Sequence, residues 1–221
     1  MIKAVIFDFD GTIIDTESAV FEAYRGLLME EYQYDLSLEK FVQIVGTTDG
    51  ALFDLIDETL ENPIDRTLFA EKVSLQLTKV KEQLILREGF FDTLKSLKEQ
   101  GIQLALASSS KREWVVWFLE QHKLMEYFPI IFTAENVDEV KPNPALYIKT
   151  LEALGLDQDE VVAVEDSVNG SLAAIRAGIN CLIIPNEVTK ALKFHEDSHI
   201  IESYADFDLG HYLKKETWKR S

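Results

Sequence analysis

The chain has a single cysteine, Cys181, among its 221 residues, so no internal disulfide can form. Its apolar setting, "INCLII", reads as a buried core position in a reducing compartment, and a cytoplasmic protein is expected. No apolar run approaches the roughly 20 residues that span a bilayer, which argues against a transmembrane helix. A first strand that starts almost at Met1 leaves no room for a signal peptide. Basic residues are scarce as well: 22 Lys and Arg stand against 39 Asp and Glu, for a formal net charge of −17. Such a chain repels phosphate backbones and anionic lipid, so neither nucleic acid nor membrane is an expected partner. An anionic small substrate stays compatible if a bound cation and a few lysines offset the field. There is no internal repeat or low-complexity segment, and a monomer is the default expectation.

What is present is strand–helix alternation. Short apolar runs occur at "KAVIFDF" near residue 5, "IQLALAS" at 102–108, "IIFT" at 130–133, "VVAVE" at 161–165 and "CLIIP" at 181–185. Each is apolar on both faces, as a central parallel strand should be. The helices between them have readable ends. "SKREWVVWFLEQH" has a capping box, Ser110 with Glu113. "NPALYIKTLEALG" has Asn143 as cap, Pro144 at the first helical position and Gly155 past the end. "SLAAIRAG" closes on Gly178. The alternation predicts an α/β fold with a doubly wound, Rossmann-like parallel sheet.

The alternation is interrupted once. From Thr16 to Gln83 only helical patterns appear, the first of them with Val20, Tyr24 and Leu28 on one face and Ala19, Ala23 and Leu27 beside it. A helical insertion after strand one hangs over the carboxyl edge of the sheet, where ligand sites of such folds form. The expected organisation is a core of residues 1–15 and 84–221 and a helical cap of residues 16–83. The C-terminal "KKETWKRS" reads as a frayed tail.

Polar residues end the strands: Asp8 and Asp10, then Ser108, Ser109 and Ser110, then Glu165 and Asp166, with Lys141 just ahead of Pro142. A parallel sheet gathers these ends on one edge. Each has a purely structural alternative. Asp10-Gly11 can be a turn, Ser109, Ser110 and Asp166 can be helix caps, and Lys141 can be a solvated lysine. Taken together, those alternatives leave clustered carboxylates unneutralised beside a core, which is costly. A divalent cation resolves the difficulty, because Asp8, Asp10, Glu165 and Asp166 offer the hard oxygens that Mg²⁺ takes. Ser108 and the following helix N-terminus can receive phosphate oxygens, and Lys141 can hold both a carboxylate and a phosphate.

"DFDGTIIDTE", "ASSS", "KPNP" and "EDSVNG" resemble the four motifs of the haloacid dehalogenase superfamily, in the family's order. "REGFFDTLKSLKEQG" and "RAGINCLIIP" are similar to its framework, and the helical insertion resembles the cap of β-phosphoglucomutase-like phosphatases and mutases. The resemblance implies a Mg²⁺-dependent phosphatase of a small phosphorylated metabolite. Asp8 would be the nucleophile and Asp10 the general acid, then base. Ser108, Ser109 and Lys141 would bind the phosphoryl group, and Asp8, Asp10, Glu165 and Asp166 the metal. Thr16 would lie at the hinge, and Thr47, Thr48 and Asp49 of "VGTTDG" in a cap loop facing the leaving group. Two departures from the mutase pattern favour hydrolysis: Val20 replaces its cap-helix histidine and Asp49 its cap-loop arginine. Asp10 disfavours haloalkanoate dehalogenation, and "VGTTDG" lacks the cap lysine of phosphonate hydrolases. A phosphosugar mutase and, in another class, a phospho-receiver signalling module are the alternatives.

Overall fold

The computed structural model describes residues 1–46, 50–58, 60 and 63–218. Strand β1 (Ala4–Phe7) is followed by helices α1 (Glu17–Tyr32), α2 (Leu38–Phe41), α3 (Gly50–Asp57) and α4 (Arg66–Val80). Alternation then resumes with α5 (Phe90–Glu99), β2 (Gln103–Ala107), α6 (Arg112–Gln121) and β3 (Ile130–Phe132). It continues through α7 (Ala145–Leu154), β4 (Val161–Glu165), α8 (Val168–Arg176) and β5 (Asn180–Ile183). The chain closes with β6 (Ser198–Ile200) and α9 (Leu209–Tyr212). The six strands form one sheet in the order β3-β2-β1-β4-β5-β6, all pairs parallel. No helix among the described residues is long and apolar enough to cross a membrane.

The apolar runs bury both faces, as expected of parallel strands. Val5 and Phe7 pack with Phe90, Leu94 and Phe118 on the side of α5 and α6. Ala4 and Ile6 pack with Leu146, Tyr147, Ala173 and Cys181 on the side of α7 and α8. Cys181 is a free, buried thiol, as its setting predicts. Register then fixes the site: Phe7 lies opposite both Leu106 and Val164, so β1, β2 and β4 end level. Whatever follows these strands must meet at one edge.

The helical segment builds its own cluster, in which Tyr24, Phe41, Phe53 and Phe69 meet ring to ring. Burying one such side chain is worth roughly 1.5–3 kcal/mol. Two chain crossings join this segment to the sheet and run side by side, Ile14 bridging Leu86 in antiparallel sense. Arg87 secures them, donating to the carbonyls of Gly11 (2.8 Å), Ile184 (2.6 Å) and Pro185 (2.7 Å).

Three local expectations needed correction, and one structural alternative, Asp166 as a helix cap, falls. No capping box forms at Ser110: Lys111 precedes α6 and makes no side-chain cap bond, because the Ser110 hydroxyl is directed into the site. Ser167, not Asp166, caps α8, accepting from Gly170 N–H at 3.0 Å. "SHI" at 198–200 adds a sixth strand; three residues with one outward apolar side chain leave little periodic signal. As far as Trp218, the last described residue, the tail is anchored: its indole donates to Tyr212 O at 3.0 Å and its ring packs against the core. Asn143 does act near the start of α7, accepting from Ala145 N–H, and Gly155 and Gly178 follow their helices with positive φ.

Candidate active site

Asp8 leaves β1 into a pocket of buried charge. Lys141 Nζ is hydrogen-bonded to Asp8 Oδ1 and lies 2.7 Å from Glu165 Oε1, with its side chain fully buried. Tyr147 donates to the same Glu165 oxygen at 2.6 Å. Carboxylate oxygens of Asp8, Glu165 and Asp166 lie within 4.8 Å of one another. Burial, then the Glu165 charge, pushes the Asp8 carboxyl up to about 7, although Lys141 opposes the shift. Burial and the charges of Asp8, Glu17 and Glu165 likewise raise Asp166 well above the usual carboxylate range. Burial alone would lower the Lys141 pKa, but Asp8 and Glu165 outweigh it and keep the ammonium charged.

A fourth carboxyl borders the cluster. Glu17, the first residue of α1, is buried, and burial with the charges of Asp10, Asp8 and Asp15 raises its pKa. One lysine therefore faces an excess of negative charge. The set of crowded carboxylate oxygens fits a hard divalent cation such as Mg²⁺. Asp166 is prepared for that role, since Thr12 Oγ1 (3.2 Å) and Asn186 Nδ2 (2.8 Å) hold its two oxygens. Gly11 is required here: it has φ +75°, and a Cβ would sit 2.2 Å from Asp166 Oδ2. Glu165 is less free, with Oε1 already engaged by Lys141 and Tyr147.

Asp10 is placed differently. Its carboxylate accepts from Thr16 Oγ1 (2.8 Å), Ser110 Oγ (2.5 Å) and Trp114 Nε1 (2.9 Å). Thr16, expected at the hinge, is buried between the strand end and α1. Ser108 is buried beside Asp8's strand, and its hydroxyl accepts from Ser110 N–H at 3.0 Å. Ser109 Oγ donates to Gly46 O at 3.1 Å, so that hydroxyl is committed to the helical segment. Asn169 Nδ2 donates to Val45 O at 2.8 Å, and a Cβ on Gly46 would meet Ser167 Oγ at 2.3 Å. The loop ahead of residue 47 is thus seated on the sheet edge. Thr47, Thr48 and Asp49 lie outside the described residues.

The sheet edge thus brings together Asp8, Asp10, Ser108, Lys141, Glu165 and Asp166, with Thr16 and Ser109 at the junction to the helices. Sequence reasoning missed Thr12, Trp114, Tyr147 and Asn186. Trp114 carried a weak signal, since an indole N–H near a charged strand end seeks an acceptor. Asn186 carried none.

A parallel sheet whose edge gathers buried carboxylates and one lysine fits phosphoryl-transfer chemistry. The chain belongs to the haloacid dehalogenase-like hydrolases, whose family model matches residues 5–184. YhcW of Bacillus subtilis is 40% identical over 95% of both chains. A phosphorylated carbohydrates phosphatase of Thermotoga maritima is 33% identical, covering 80% of this chain and 82% of its own. The solved structure of a candidate β-phosphoglucomutase from Thermotoga maritima superposes with TM-score 0.67 at 30% identity, covering 88% and 89% of the two chains. The chain is accordingly an enzyme, a phosphatase of this family with β-phosphoglucomutase-like relatives.

Proposed function

We propose that the chain hydrolyses the phosphoric monoester of a small metabolite, a phosphosugar or similar, through an aspartyl-phosphate on Asp8. The observation that carries the reading is the buried group of Asp8, Glu165 and Asp166 with Lys141 as its one buried ammonium. Asp8, the Asp10 backbone carbonyl and Asp166 would hold Mg²⁺, with Glu165 behind them fixing Lys141. When bound, the cation offsets charge on the carboxylates and on the phosphoryl oxygens.

In the first half-reaction an Asp8 carboxylate oxygen forms a bond to phosphorus, and the ester P–O bond breaks. The Asp10 carboxyl gives its proton to the departing alkoxide. In the second half, Asp10 takes a proton from water as the water oxygen attacks phosphorus. The bond to Asp8 breaks and inorganic phosphate leaves. Ser108 would donate to a phosphoryl oxygen while Lys141 orients Asp8. Residues 16–83 would act as the cap, with Thr16 at its hinge. Thr47, Thr48 and Asp49 would contact the leaving group.

A phosphosugar mutase needs water kept from the aspartyl-phosphate. Here Val20 packs against the helical cluster, and the partners of Asp10 are Thr16, Ser110 and Trp114. Nothing at position 20 can hydrogen-bond to Asp10, which favours hydrolysis. A phosphate-release screen over phosphorylated metabolites, with and without Mg²⁺, tests the reading. Chelation should abolish release, Asp8→Asn should abolish it outright, and Asp10→Asn should lower it about 10²–10⁴-fold. Efficient conversion of β-glucose 1-phosphate to glucose 6-phosphate without free phosphate would replace this reading by the mutase.

A further inference from the structure

We propose that Asn186 is a positioning residue for Asp166, and that its turn, through Val188, ties the placement of that carboxylate to the packing of the helical segment. The proposal rests on the reading of Asp166 as a cation ligand. Asn186 is buried just beyond β5, and its amide works at both ends. Nδ2 donates to Asp166 Oδ2 at 2.8 Å and, at greater length, to Gly11 O at 3.4 Å. Oδ1 accepts from Val188 N–H at 2.9 Å and Thr189 N–H at 3.0 Å.

The orientation of this amide is dictated by its neighbours. Two backbone N–H groups on one side can only donate, so the carbonyl end must face them. The NH₂ end is then left for the carboxylate. Thr12 Oγ1 holds the other Asp166 oxygen at 3.2 Å, so two neutral donors aim the carboxylate. Neutral donors orient a ligand without cancelling the charge a cation needs.

The turn has little freedom of its own. Arg87 grips Pro185 O and Ile184 O just before it, and Thr189 Oγ1 accepts from Asn186 N–H at 3.1 Å. Its other contact runs across the junction. Val188 is buried in the cluster of Tyr24, Phe41, Phe53 and Phe69, and is the one member of that cluster outside residues 16–83 among the described residues. A single residue, Glu187, therefore separates the side chain that aims Asp166 from one embedded in the helical segment. A shift of those helices reaches the carboxylate through a short, hydrogen-bonded turn.

Mg²⁺ binding to the full chain without substrate, followed by isothermal titration calorimetry, tests the proposal. Asn186→Ser keeps a hydroxyl acceptor for the turn but cannot reach Asp166, and should weaken Mg²⁺ binding about 10- to 100-fold. At saturating Mg²⁺ its kcat should stay within about threefold of wild type, a split that general damage to the fold would not produce. Val188→Ala should weaken Mg²⁺ binding by a smaller factor while circular dichroism remains native. Wild-type affinity in a folded Asn186→Ser overturns the positioning role, and wild-type affinity in Val188→Ala overturns the link to the helices. Should the serine variant not fold, Asn186→Gln, which displaces the amide by one methylene, must show the loss. A wild-type chain that binds no Mg²⁺ would instead overturn the cation reading on which this rests.

Discussion

The sheet edge and the helical segment both bury apolar side chains, but they differ in what else they bury. At the edge Asp8, Thr12, Ser108, Lys141, Glu165, Asp166, Ser167 and Asn186 are all buried. Between residues 18 and 83, every buried side chain among the described residues is aliphatic or aromatic. Buried polar groups cost free energy unless they are paired, and an edge crowded with them marks a candidate site of chemistry. Among the described residues the helical segment carries no such cost, and it touches the edge through Gly46, Val45 and Val188. The two regions meet at Thr16, Glu17, Gly46 and Val188, where groups of one sit against groups of the other.

The sharpest way to break this contrast is to remove Lys141, the one buried cation among the described residues. Lys141→Met leaves Asp8 and Glu165 buried without a counter-charge, and the loss should be about 3–5 kcal/mol of stability together with activity. Urea unfolding in the absence of Mg²⁺ reads it. A loss below about 1 kcal/mol would mean that these carboxylates are far better hydrated than their burial implies.

A smaller effect separates charge from packing. The Asp8 pKa is raised, to about 7, so its contribution to stability is full below the unfolded value near 4 and is lost as pH rises through 7. Asn cannot titrate. Without Mg²⁺, the stability of Asp8→Asn relative to wild type should therefore climb between pH 4 and pH 7 and then level off. A relative stability that is flat across that window would show that Asp8 is ionised throughout it. Mg²⁺ should reduce the climb, because it favours the ionised form.

The smallest expected effect lies at the seam. Asn169→Ala removes the hydrogen bond to Val45 O and frees the loop ahead of residue 47. A net hydrogen bond of about 0.5–1.5 kcal/mol corresponds to a KM increase of at most about tenfold for a full-sized substrate. Turnover of a small aryl phosphate, which asks little of the helices, should be unchanged. An equal loss for both substrates would assign Asn169 to the chemistry of the edge instead.

Much of the edge was legible because its signal is local. A buried parallel strand must be apolar on both faces, so carboxylates right after "AVIF" and within "VVAVEDS" stand out as expensive. Ser110 was misread because a serine before a helix has an ordinary local use, and only the approach of Asp10 from another strand redirects its hydroxyl. Tyr147 looked like one more apolar position of α7, and nothing nearby in sequence announces Glu165 beneath its hydroxyl.

The sequence by itself determined the alternation of strands and helices, the sheet edge on which the acidic residues gather, and the helical segment inserted after the first strand. These follow from periodicity, from helix ends and from the cost of charge beside a core, all properties of neighbouring residues. Tertiary structure alone decided which partner each polar group takes. Asp10 faces Trp114 and Ser110, Asp166 is aimed by Asn186 and Thr12, and Val188 joins the helices. Such pairings join residues far apart in the chain, Thr12 and Asp166 across 154 positions. A hydrogen bond is set by the distance and direction of two groups in space, and sequence spacing carries neither.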